Sequence, residues 1–149
     1  MNPIARDLAD PARNGIASIA AIEIDALNVA ANAASLQVLP VDLRACQSKT
    51  GLLKRLARAL RTPAEQGRNW DALADQLRDL GWLHEAGGYV LMFTHASALR
   101  ARDPSSLTIL LEILEDASRF WKARGIPFRA VFTLPDSALR VPGNSSDPR

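Results

Sequence analysis

Three aspartates at four-residue intervals are the feature of this sequence best suited to binding a charged partner. Asp71, Asp75 and Asp79 lie in the segment TPAEQGRNWDALADQLRDLGW, residues 62–82. On an α-helix, residues four apart share a face, so the three carboxylates form one stripe that faces solvent. Like charges at this spacing destabilise a helix by roughly 0.2–0.5 kcal/mol per pair. A stripe with that cost indicates a surface for cations; the alternative is an ordinary solvated face with Asp75 or Asp79 paired to Arg78.

Nucleophiles and metal ligands are scattered along the chain. Cys46, His84 and His95 are far apart in the sequence and match no triad or zinc spacing. The segment EAGGYV is read as a turn before a strand and not as a phosphate-binding loop. We therefore expect no catalytic residue, no metal and no cofactor.

Composition and charge limit the classes of protein to which the chain can belong. The 149 residues suffice for one domain with its own core, and a single cysteine excludes an internal disulfide. The net charge of +2 is too small to indicate nucleic-acid binding by itself. The first 15 residues lack the apolar run of a signal peptide, and no stretch is long enough to span a membrane. The sequence therefore predicts a cytoplasmic protein with no membrane partner.

Apolar periodicity and capping residues divide the chain into helices and strands. Ser48 and Asn69 are suited to cap helix N-termini, because a short polar side chain accepts a backbone N–H there. Gly125 is suited to end a helix. Residues 1–20 show no sustained period and are read as an irregular lead-in. The predicted helices are 22–34, 49–61, 69–80 and 105–124, and the predicted strands are 36–43, 87–94 and 127–134.

The order of these elements predicts the fold class. Strands separated by helices need crossover connections, which make a parallel sheet. We expect an α/β fold with a small three-stranded parallel β-sheet flanked by helices and an N-terminal helical extension, and Pro40 places its strand at an edge or a bulge. The extension (1–35) packs on the core, a domain spans 36–134, and 135–149 form a flexible tail. The side chains expected in the core are Trp70, Leu73, Leu77, Leu110, Leu114 and Trp121.

The long helix has a second apolar stripe. Ile109, Ile113 and Phe120 lie nearly opposite its core face. Exposed apolar stripes are usually covered, so we expect the helix at 22–34 to dock there. We expect a monomer, and the alternative is a homodimer through this stripe.

The segment around the aspartates resembles a known family. Residues 63–77, PAEQGRNWDALADQL, have the pattern Pro-x-x-x-Gly-x-Asn-x-Asp-Ala-Leu-x-Asp-x-Leu, which is similar to the signature loop and helix of the barstar family. The flanking order of strands and helices agrees, so the resemblance covers about 38–134. Barstars are intracellular inhibitors of barnase-type secreted ribonucleases. The resemblance therefore implies a barstar-like fold and a non-enzymatic protein with a basic secreted ribonuclease as its partner.

The resemblance also implies a binding site. An acidic loop and helix, residues 65–80, would occlude the cationic active site of the enzyme. Asp75 would enter the cleft, Asp71 would pair with cations at its rim, and Asn69 and the backbone of Gly67 would contact the enzyme from the loop. The full set of partner-binding residues expected is Asp75, Asp71, Asn69, Gly67, Glu65, Asp79 and Trp82.

Two other functions remain open from the sequence. The domain could bind a different basic protein as an interaction or regulatory module. It could also bind RNA through the basic helix 49–61, which carries Lys54, Arg55, Arg58 and Arg61. That face has no interleaved aromatic residues, so we expect it to be solvated and expect no nucleic-acid partner.

Overall fold

A four-stranded parallel sheet forms the centre of the computed structural model, which describes residues 6–62, 69–80 and 87–134. The strands are β1 (Gly15–Ala20), β2 (Leu36–Asp42), β3 (Gly88–Thr94) and β4 (Phe128–Leu134). Their order in the sheet is β1-β4-β3-β2. The strand with Pro40 is therefore an edge strand, as predicted. The predicted tail, residues 135–149, lies outside the described residues.

Helices alternate with the strands along the chain. They are α1 (Ile24–Ala33), α2 (Lys49–Leu60), α3 (Trp70–Leu77), α4 (Ser97–Arg102) and α5 (Pro104–Ala123). The predicted cap of α2 is confirmed, because Ser48 Oγ accepts the Gly51 N–H at 3.2 Å. Gly125 follows α5 with φ 72°, the left-handed conformation that ends helices.

The sheet has four strands, and the prediction of three was wrong. Residues 15–20, read from sequence as part of an irregular lead-in, form β1 and pair in parallel with β4 from Gly15↔Arg129 to Ala20↔Leu134. The segment GIASIA gives no clear alternation, and its pairing partner lies more than 100 residues away, so local pattern could not reveal it. Asn14 fixes its start: Oδ1 accepts the Phe128 N–H at 2.8 Å, and Nδ2 donates to the Ile126 carbonyl at 2.9 Å.

One face of the sheet carries the larger core. Helices α2, α3 and α5 bury their leucines there against alternate residues of the strands, among them Leu91, Phe93 and Phe132. The rings of Phe93 and Phe132 stack with centroids 4.5 Å apart. Leu73, Leu77, Leu110, Leu114 and Trp121 are buried as predicted. These three helices therefore form one layer whose outer faces point away from the sheet.

The N-terminal helix covers the opposite face of the sheet. Leu27 and Ala31 of α1 join Val90 and Met92 of β3 and Val131 of β4 in a second core. The expectation that this helix docks on the second apolar stripe of the long helix was therefore wrong. Strand β3 is buried on both faces. The residues that point away from the larger core therefore also need a helix to bury them.

The second stripe of α5 lies at the margin of the larger core. Ile113 and Phe120 are partly buried and pack against that core. The Arg124 guanidinium also lies 3.8 Å from the centroid of the Phe120 ring.

The N-terminal ends of α2 and α5 meet at the carboxyl edge of the sheet. Asp103 caps α5 by accepting the Ser106 hydroxyl at 2.7 Å and the Ser106 N–H at 3.2 Å. The pKa of Asp103 is lowered, chiefly by the Ser106 side chain and backbone, with a further backbone hydrogen bond from Lys49. The Lys49 backbone amide at the start of α2 therefore lies near the Asp103 carboxylate at the start of α5.

Length and apolarity together separate membrane-spanning helices from others. Among the helices of the described residues, none meets both requirements.

The second core generates a stability prediction. Leu27→Ala removes a side chain that is 2% exposed and leaves a cavity, so it should lower the free energy of unfolding by about 2–5 kcal/mol. Val29→Ala, on the same helix but 69% exposed, should change it by no more than about 0.5 kcal/mol. Urea denaturation of both variants measures the difference. Equal, small effects would show that α1 does not cover a core.

Candidate protein-binding site

Helix α3 carries the predicted binding residues and is held on its inner side. Leu73 and Leu77 are buried in the larger core, as is Leu80 just beyond the helix. Trp121 of α5 donates its indole Nε1–H to the Leu77 carbonyl at 2.8 Å. This bond satisfies one of the carbonyls that a helix C-terminus leaves without an intrahelical partner. The helix is therefore fixed to α5 at its end as well as along its apolar face.

Asn69 starts α3 as predicted. Its backbone is extended, with φ −140° and ψ 174°, and its Oδ1 accepts the Ala72 N–H at 2.8 Å. Asp71 follows in the first turn, where the helix dipole favours a carboxylate. The cap and the dipole together determine where the first acidic residue is presented.

Asp71 and Asp75 are both exposed on the outer face of α3. They are four residues apart, which is about 6 Å along the helix axis. The Asp75 carboxylate is 78% exposed and accepts a hydrogen bond from Arg78 Nη2 at 2.9 Å. The pairing with Arg78 was one of the two alternatives read from the sequence. Both carboxylates therefore face solvent on the same side of the helix, and the Asp75 carboxylate is already paired with the Arg78 side chain.

The acidic stripe is shorter than predicted because α3 ends at Leu77 and not at residue 80. Arg78 has φ −98° and ψ 5°, and its N–H turns back to the Asp75 carbonyl. Asp79 lies beyond the helix in the following turn, where its N–H bonds to the Gln76 carbonyl at 3.1 Å. Asp79 thus does not continue the stripe on the helix. Because the helix ends at Leu77, Asp75 lies in its last turn, where the helix dipole disfavours a carboxylate and the neighbouring Arg78 cation offsets that cost.

Three predicted site residues fall outside the described part of the chain. They are Glu65 and Gly67 in the segment 63–68 and Trp82 in the segment 81–86. Their roles stay predictions.

Trp70 is the one predicted core residue that is only partly buried. It packs at the margin of the larger core as the first residue of α3. Lys49, the first residue of α2, places its Nζ 5.7 Å from the centroid of the Trp70 ring. The N-terminal ends of α2 and α3 therefore lie side by side at the surface.

The Trp121–Leu77 bond was not foreseen from sequence. Trp121 was predicted to be buried, and a buried tryptophan usually finds a partner for its N–H. That rule could have indicated a bond but not its acceptor, which lies 44 residues earlier in the chain.

A polar cluster elsewhere was also not predicted. Asp42 Oδ1 lies 3.1 Å from His95 Nδ1 at the carboxyl ends of β2 and β3, and Arg44 Nη2 lies 3.0 Å from His95 Nε2. The pKa of Asp42 is lowered, first by the Arg44 backbone N–H and also by His95. Cys46 is buried, so it is not exposed beside this cluster. Within the described residues, no group of three or more His, Cys, Asp or Glu side chains could hold a metal.

The cap of α3 generates a second prediction. Asn69→Ala should lower the free energy of unfolding by about 0.5–2 kcal/mol, because the Ala72 N–H loses its acceptor. Asn69→Asp keeps an acceptor and adds a charge that the helix dipole favours, so it should be at least as stable as wild type. Thermal and urea unfolding of the pair test this. Equal stability of the two variants would show that the cap does not hold α3.

The comparisons with known proteins agree with the fold. A solved structure titled "Structure of Drosophila ORC bound to DNA" contains a chain with a TM-score of 0.56 and 16% sequence identity, over 93% of this chain and 37% of that chain. A likeness at this identity shows the fold alone, and this chain spans little more than a third of that one. No curated protein matches the chain.

A family model gives the assignment. The model described as "Barstar (barnase inhibitor)" matches residues 36–133, from the first residue of β2 to the penultimate residue of β4. The match includes α3 and both of its acidic residues and leaves out β1 and α1. The chain belongs to the Barstar family.

Proposed function

We propose that this protein inhibits a barnase-type ribonuclease by placing α3 and the residues just before it in the active-site cleft. The observation that carries the proposal is the pair of exposed carboxylates, Asp71 and Asp75, on a helix fixed to the core by its opposite face. The family to which the chain belongs is described as barnase inhibitors. The role needs no catalytic group, because occlusion of a cleft requires only a complementary surface.

Electrostatics explains why carboxylates suit this role. A ribonuclease active site is lined with cationic groups that hold phosphate. Carboxylates form strong, charge-assisted hydrogen bonds to arginine and lysine, and a rigid helix presents them with little loss of freedom on binding. Asp71 and Asp75 repel one another in the free protein, and the cations of the enzyme would reverse that cost.

The ion pair of Asp75 with Arg78 is compatible with binding. An exposed pair of this kind contributes about 0–1 kcal/mol, so exchanging Arg78 for a cation of the enzyme costs little. Arg78 would also hold the Asp75 side chain in one place before the partner arrives. In this proposal Asp75 enters the cleft, Asp71 contacts its rim, and Glu65, Gly67 and Asn69 contact the enzyme from the loop.

Two further parts of the assignment rest on the same proposal. Asp79 and Trp82 are proposed to contact the edge of the enzyme's cleft. An inhibitor of a secreted ribonuclease protects the cell that makes the enzyme, so we place the protein in the cytoplasm.

The proposal is tested by alanine variants titrated against a barnase-type ribonuclease. Asp75→Ala should weaken inhibition by about 30-fold or more, since truncating one member of a desolvated charge pair costs about 2–5 kcal/mol. Asp71→Ala should cost less, and Asp79→Ala least, because it lies beyond the helix. The association rate should fall with added salt, because charges are screened over about 10 Å at 0.1 M.

A matched control is available on α5. Asp116 is exposed and pairs with Arg119 three residues later, as Asp75 does with Arg78. Asp116→Ala should leave inhibition unchanged, and all four variants should unfold within about 0.5 kcal/mol of wild type. If wild type inhibits no barnase-type enzyme, the proposed function is wrong. If Asp75→Ala inhibits as well as wild type, the site lies elsewhere.

A further inference from the structure

A basic strip lies on α2 beside the acidic face of α3. Lys54 and Arg58 are exposed and lie four residues apart, so they share one face of α2, and Arg61 is exposed just beyond the helix as its C-cap, with φ 58°. Within residues 6–62, 69–80 and 87–134, no carboxylate pairs with any of the three. By contrast, Arg13, Arg78 and Arg119 each pair with an aspartate.

Helix chemistry explains only part of this strip. Arg58 and Arg61 lie at the C-terminal end of α2, where the dipole favours a cation by about 0.3–1 kcal/mol. Lys54 lies in the middle of the helix and gains nothing from the dipole. Lys54 and Arg58 are also like charges four residues apart, which repel. The dipole therefore accounts for Arg58 and Arg61, and it leaves Lys54 and its repulsion with Arg58 without a local explanation.

The strip and the acidic face point in the same direction. Both helices bury their leucines in the same core on the same face of the sheet, so the opposite face of each points outward. The contact of Lys49 with Trp70 brings their N-terminal ends together. The axes of packed helices are about 8–10 Å apart. The outer surface of this layer thus carries positive side chains on α2 and negative side chains on its neighbour α3.

A protein partner seated on α3 must also cover the strip. A stable interface buries about 800 Å² on each partner, which as a disc has a radius of about 16 Å. This radius exceeds the spacing of the two helices. Like charges brought together across an interface cost several kcal/mol. A partner that is cationic throughout its contact surface would therefore be rejected by Lys54 and Arg58.

We propose that the basic strip of α2 selects the target: it fits a ribonuclease that carries acidic side chains on the surface beside its cationic cleft. This inference rests on the proposed function of α3. The acidic face of α3 then provides attraction to any cationic cleft, and the strip discriminates among enzymes by the charge around the cleft. Specificity of this kind combines a favourable contact with repulsion of the wrong partners.

The test is a selection experiment that shows which charges at the rim of the enzyme's cleft favour binding to this protein. A catalytically inactive barnase-type ribonuclease, with its cationic cleft intact, is displayed as a library in which exposed rim positions are either Lys or Glu. The baits are wild type, Lys54→Glu/Arg58→Glu, and the control Arg6→Glu/Arg13→Glu. The control has the same net charge as the strip variant but is altered in the N-terminal segment.

Wild type and the control should enrich Glu at the same rim positions, and the strip variant should enrich Lys there. An individual Glu-rim clone should bind wild type about tenfold or more tightly than the strip variant. The same rim preference for all three baits would overturn the inference. A fourth bait, Asp75→Ala, separates the two proposals. If clones bind Asp75→Ala as well as wild type, the binding site lies elsewhere and the inference about its neighbouring strip is wrong with it. If no clone binds wild type, the proposed function itself is wrong.

Discussion

An eight-residue helix does not persist in water by itself, and the proposed binding surface is carried on such a helix. Helix nucleation is costly, so α3 depends on tertiary packing for its stability. Leu73 and Leu77 supply that packing against the sheet, and Trp121 holds the C-terminal carbonyl of Leu77. The positions of Asp71 and Asp75 are therefore set by the core and not by the acidic residues themselves.

The same dependence explains how the molecule tolerates unfavourable charges. Carboxylates repel one another on α3, and cations repel one another on α2, yet each cost is a few tenths of a kcal/mol. Burying one leucine contributes roughly 1.5–3 kcal/mol, so the leucine core outweighs these costs many times over. The stability that remains lets the outer face of the helical layer carry charges that repel one another. The N-terminal extension adds to that stability, because β1 extends the sheet and α1 covers its second face.

The parts of the fold that could be predicted from sequence are those with a local chemical cause. Ser48 and Asn69 were identified as caps because their side chains can accept backbone N–H groups, and strands β2, β3 and β4 because they are short apolar runs. Strand β1 has no such signal, since its pairing with β4 is set by residues at the other end of the chain. The position of α1 was assigned to the wrong surface because its partners, Val90 and Met92, alternate with residues of the other core within one apolar strand.

The candidate site was predicted in outline and corrected in detail. The exposure of Asp71 and Asp75 follows from their spacing against the leucines. The end of α3 at Leu77 depends on the turn at Arg78, which spacing does not indicate. The partial exposure of Trp70 depends on its place beside Lys49 at the edge of the layer.

The proposed inhibition requires that a ribonuclease cover the outer face of α3. The most direct measurement is a titration of the isotope-labelled protein with an inactive barnase-type ribonuclease, followed by backbone amide NMR. We expect the largest changes on Asn69 to Asp79 and on the neighbouring outer face of α2, and we expect them to diminish as salt is added. Changes confined to α1 and β1, or to the cluster of Asp42 and His95, with α3 unaffected, would contradict the proposed inhibition.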